Sequence, residues 1–151
     1  MLTENISADV ELKDLQEVEQ VLSTYKSTML TTKDLRLDLI QNAYRIKRRV
    51  YYARQFPLHL IHKSRQGASV QGIIEIINRI LEHYTLGKIE QITQLNTTQM
   101  EVVLKEVMVH CPPLILSILP DETIHLDDGN HRVYLAEKVL GLKTLPAFIL
   151  C

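Results

Sequence analysis

Tryptophan is absent from this chain of 151 residues and aromatic residues make up only 5% of it, so broad aromatic stacking surfaces are not expected. Cysteine is scarce too. Cys111 and Cys151 are too few for the disulfide framework of a small secreted domain. No apolar run approaches the length of a membrane span. The N-terminus is acidic and polar, unlike the basic-then-apolar pattern of a secretory leader. A cytoplasmic protein with no membrane partner is the expectation. Charge of one sign is also lacking: the formal net charge is -1, so total charge does not imply nucleic acid. What the chain does have is an apolar fraction of 46%, enough for a real core. Its length suits one domain, or one domain with a sizeable extension.

The first half reads as helical. Ser7 or Asp9 is placed to cap a helix running to about Tyr25, with Leu15, Val18 and Leu22 on one face. A second helix is expected from Thr32 until Pro57 stops it, with Leu35, Leu39, Ala43, Ile46 and Val50 as its stripe. Its later part carries the one basic cluster, Arg45, Lys47, Arg48, Arg49 and Arg54, interleaved with Tyr51 and Tyr52. Such a cluster either grips phosphates of a nucleic acid such as DNA or is a solvated helix face. The stretch Leu58 to His62 fits a short strand or a turn of helix. His59 and His62 are spaced to share a helical face, but no third metal ligand stands near them. Ser69 opens a third helix to about Tyr84, with a broad isoleucine face. An apolar helical half of this kind offers a surface for a homo-oligomer.

The pattern changes near Gly87. Lys88 to Leu95 alternates like a strand, and Thr98 with Glu101 forms a capping box for a helix that Pro112 and Pro113 end. Leu114 to Leu119 is a continuous apolar run, expected as a buried strand. Thr123 to Leu126 alternates and forms the next strand, a helix follows to Leu140, and a last strand runs from Leu145 to Leu150. The order is β-α-β-β-α-β over residues 87–151, after a helical region over 1–86, giving an α+β class with a small mixed sheet.

Between the strand ending at Leu126 and the last helix lies Asp127-Asp128-Gly129-Asn130-His131-Arg132. A strand-to-helix turn with a glycine inside it brings backbone N–H groups together where an anion can sit. His131 and Arg132 can add charge-assisted donors, and Asp127 or Asp128 can hold a divalent cation or accept a proton. Asp-Gly and Gly-Asn are also ordinary turn dipeptides, so a simply capped turn accounts for the same residues. His125, two residues before Asp127, falls on the same strand face. Tyr134 either stacks on a base or packs.

The run from Asp127 to Ile149 resembles the signature of the ParB/sulfiredoxin superfamily. That family has a strand, a D-G-x-H-R or G-x-x-R turn, a helix with a small residue midway, a glycine, and a strand opened by proline. Asp128, Gly129, His131, Arg132, Ala136, Gly141 and Pro146 stand at those places. The resemblance covers roughly the last two fifths of the chain.

It implies a small mixed-sheet fold in which the turn holds the phosphates of ATP, ADP or CTP. Gly129, Asn130, His131 and Arg132 would bind phosphate. Asp128 and His131 would take catalytic roles, and Asp127 or Asp128 would meet Mg²⁺. In the free serine kinases of the D-G-x-H-R branch such a turn serves phosphoryl transfer to a small hydroxyl, assisted by a glutamate from the early part of the domain. Glu90 is the candidate for that glutamate. Asn130 stands where sulfiredoxins place their nucleophilic cysteine, so sulfiredoxin chemistry is not expected. The glycine turn also departs from the G-E-R-R box of partition proteins. Three readings follow: a nucleotide-dependent phosphotransferase or hydrolase, a ParB-like module on nucleic-acid backbone phosphate, and a non-catalytic domain that keeps the fold.

Overall fold

The last strand of the chain lies in the middle of its sheet. In the computed structural model, which describes residues 8–25, 36–62, 105 and 112–151, five strands form one mixed sheet. They are β1 (Val10–Leu12), β2 (Val50–Pro57), β3 (Leu114–Ile118), β4 (Ile124–Asp128) and β5 (Thr144–Leu150), in the spatial order β1-β2-β5-β3-β4. β5 pairs antiparallel with β2 and parallel with β3, while β1 and β4 close the two sides in antiparallel pairs. One row of partners crosses the whole sheet: Val10, Tyr52, Phe148, Ile115 and Asp128.

Central β3 and β5 are apolar on both faces because both faces are covered. Successive strand residues point to opposite sides. Ile115 and Phe148 therefore meet Val18 of α1 (Leu15–Leu22) and Ile40 and Ala43 of α2 (Leu37–Arg45). Their neighbours Leu116, Ala147 and Ile149 meet Leu135, Ala136 and Leu140 on the other side. Those last residues belong to the segment that begins as α3 (Asn130–Tyr134), continues as a π-helical turn over Leu135–Val139 and ends at Leu140. The fold is thus α+β, with helices on both faces of the sheet.

The N-terminal region contributes strands as well as helices. Asp9 caps no helix; its carboxylate accepts from the Arg54 backbone N–H at 2.7 Å, and residues 10–12 pair with β2. The cap of α1 is Asp14, which accepts from Glu17 N at 3.0 Å, while Glu17 reaches back to Lys13 N.

The second helix ends at Arg45 rather than near Pro57. The chain turns through Lys47, whose φ is 61°, and residues 50–57 form β2. Ile46, expected on the apolar stripe, is 50% exposed. Val50, Tyr51, Tyr52 and Phe56 are β-branched or aromatic, and pairing with β5 decides in favour of strand. The sheet consequently joins strands from both sides of residue 87.

Leu58–Leu60 form a 3₁₀ turn, and Ile61 bridges in parallel to Ile124 on the outer side of β4. The expected strand at 88–95 and helix at 69–84 lie outside the described residues. So does the helix opened by Thr98, apart from Lys105. β4 runs two residues past Leu126, into the hexapeptide. Among the described residues no helix is long and apolar enough to cross a membrane.

Candidate functional site

β4 delivers Asp127 and Asp128 to the turn, and the turn requires glycine. Gly129 has φ +111°, in the left-handed region, and a Cβ built there would lie 2.4 Å from Leu114 Cδ2. The missing side chain lets the turn press onto the start of β3. α3 then begins at Asn130. Its first bond runs from Val133 N to Gly129 O, 2.9 Å, so the N–H groups of residues 130–132 precede the helical ladder.

Arg132 faces inward. It is 6% exposed, and Nη1 donates to the carbonyl of Pro112 and, at 3.4 Å, to that of Pro113. Nη2 lies 3.4 Å from Asp128 Oδ2. The guanidinium thus ties the turn to the entry of β3, with Asp128 as its counter-charge.

Asp127 has a different partner. Opposite it, Ile115 pairs with Asp128 and Leu116 with Leu126, which leaves Asp127 as the extra residue of a bulge. Its Oδ2 accepts the hydroxyl of Ser117, itself 5% exposed. The two adjacent carboxylates are therefore drawn apart, Asp127 to β3 and Asp128 to α3. Ser117 was not legible as a site residue, because a lone serine in an apolar strand carries no signal until the register sets it near Asp127.

The surroundings add charge. His125, opposite Ser117, lies beside His62, with ring centroids 5.3 Å apart. Hydrogen bonds from the Thr123 hydroxyl and N–H hold the Asp121 carboxyl below its usual value, and His125 adds to this. Arg36, just before α2, is held charged by its hydrogen-bonded partner Asp38. Among the described residues no three His, Cys, Asp or Glu side chains gather as metal ligands.

Of the expected site residues, the structure brings Asp127, Asp128, Gly129, Asn130, His131 and Arg132 together by chain continuity, with His131 second in α3. Asn130 is exposed, and Tyr134 is 36% exposed. Glu90 lies outside the described residues.

The basic residues do not share one helix face. Arg45 ends α2 and binds Asn42, and Lys47 sits in the turn. Arg48 donates to Leu150 O at 3.0 Å, and Arg49 N pairs with Cys151 O. Arg54 on β2 lies 3.8 Å from Asp9. Strands β5 and β3 stand between β2 and β4, so Arg54 is separated from the strand that leads to the turn. Comparison with family models, curated proteins and solved structures gives no match, so the site is read on its own geometry.

Proposed function

We propose that the β4–α3 turn binds the phosphate of a nucleotide, ATP, ADP or CTP, in a ParB/sulfiredoxin-like domain. The observation that carries the reading is Gly129: a residue at φ +111° whose added Cβ would lie 2.4 Å from Leu114 Cδ2, set between a strand and a helix whose first N–H groups precede the ladder. The order β3, β4, turn, helix, β5 supports it, since the resemblance implies that order.

Within this reading the donors divide their work. Arg132 is spent on Pro112, Pro113 and Asp128, so it shapes the turn. Phosphate recognition then falls to the N–H groups of residues 130–132 and to the His131 imidazole. Asp127 and Asp128 take separate partners, so Mg²⁺ arrives with the nucleotide, meeting at most one carboxylate, and neutralises phosphate charge. With Asp128, or Glu90 from the preceding part of the domain, as acid–base partner, the activity is phosphoryl transfer to a small hydroxyl or to water. That chemistry depends mostly on positioning and charge neutralisation. The nucleic-acid reading has weaker support, because the basic residues are dispersed over a helix end, a turn and a strand.

The test is calorimetric titration with ATP, ADP and CTP, each with Mg²⁺, on wild type and His131→Ala. Binding by wild type that is lost in the variant supports the reading. No binding of any nucleotide sinks it, and DNA titrated over a salt series then examines the alternative.

A further inference from the structure

We infer that His62 and His125 form a two-imidazole site for a divalent transition-metal ion of the zinc class, independent of the phosphate turn. The fold itself brings them together. The Ile61–Ile124 bridge and the bond from His62 N to Ile124 O, 2.8 Å, lay the segment after the 3₁₀ turn along β4. Ile61 and Ile124 are buried, 4% and 8% exposed, and anchor the two backbones. The next residue on each is a histidine, one exposed and one half-buried, so the pair is open to solvent.

The ring separation fits chelation. A zinc ion sits about 2.0–2.1 Å from each imidazole nitrogen, hence about 3.2 Å from each ring centre, and a tetrahedral angle then sets the centres about 5.2 Å apart. The observed separation is 5.3 Å, with the rings inclined at 36°. Among the described residues no third His, Cys, Asp or Glu joins the pair. Imidazole donors favour zinc, nickel and copper over Mg²⁺, which takes oxygen.

The experiment uses the full chain stripped with chelator and titrated with zinc chloride, with magnesium chloride as the control. His62→Gln and His125→Gln, which keep a polar side chain of similar length, should each lower zinc affinity by about tenfold or more. His59→Gln, three residues from His62, should leave it unchanged. Paramagnetic Co²⁺ should selectively broaden the His62 and His125 imidazole resonances of wild type, a reading that needs no variant to fold. Zinc affinity unchanged in both variants, or Co²⁺ broadening that spares both rings, overturns the inference and leaves the two rings as a packing pair. Failure of nucleotide binding has no bearing on this outcome.

Discussion

Arg132 donates through Nη1 to the carbonyl of Pro112, 20 residues earlier in the chain, and through this bond the turn after β4 is fastened to the start of β3. The residue that most invites assignment as a surface phosphate ligand is 6% exposed. Its replacement should first be a stability defect. Arg132→Met leaves two proline carbonyls and Asp128 without their donor, and a loss of about 2–4 kcal/mol is expected. The midpoint of urea unfolding measures it. A variant as stable as wild type would show that the guanidinium does not hold the turn.

The two left-handed glycines should respond differently. At Gly129 an added Cβ meets Leu114 at 2.4 Å; at Gly141, with φ +65°, it meets nothing within 4 Å. Gly141→Ala should therefore cost only the backbone strain, about 1 kcal/mol, and Gly129→Ala clearly more. Thermal unfolding of the two variants side by side tests the order, and equal midpoints would contradict it.

Ser117 supplies the donor to the bulged Asp127. In Ser117→Ala the carboxylate loses that donor, and a loss of about 1–2 kcal/mol is expected. Chemical denaturation checks the magnitude, and amide exchange along β4 checks the site. An unaltered exchange pattern near Asp127 would argue against the bond.

Phe148 and Ile46 separate the core from the exposed helix end. Phe148 is fully buried in the central strand, so Phe148→Ala should cost about 3–5 kcal/mol. Ile46 is 50% exposed just beyond α2, and Ile46→Ala should change stability by no more than about 0.5 kcal/mol. A large effect at Ile46 would instead place it on a buried helical stripe.

Tyr44 gives an alkaline signature. Burial first, then the negative charge of Asp14, pushes its hydroxyl up to about 12. That hydroxyl donates to Leu12 O at 2.9 Å, joining α2 to β1. The folded value lies above the unfolded one, near 10, so this stabilisation is whole below pH 10 and declines as pH rises through about 12. Stability measured across that window should fall less steeply in Tyr44→Phe, and ultraviolet titration should lose one late tyrosine ionisation. The same slope in both proteins would exclude the effect.

The three closing strands were legible because local signals agreed, whereas the helix expected up to Leu140 is α-helical only over Asn130–Tyr134. The run at 114–118 is apolar but for Ser117, residues 124–126 alternate, and residues 145–150 are apolar throughout. Gly129 announced a turn by residue type alone. The middle of the N-terminal half was misread for a physical reason: Val50 continues a helical spacing from Ile46, and strand and helix periods are not separable over so short a run. The partner settled it, since Val50 pairs with Leu150, 100 positions away by number.

By itself, then, the sequence determined the punctuation of the chain, the apolar strands of its last third and the place of a glycine turn. These depend on backbone sterics and short-range periodicity. Tertiary structure alone decided which side chains the turn spends and which it keeps. It turned Arg132 onto Pro112 and Pro113, set Ser117 against Asp127 through a bulge, and laid His62 beside His125. Each of those pairings depends on strand register and burial, which no local pattern encodes, because desolvated polar groups must find partners wherever the fold happens to bring them.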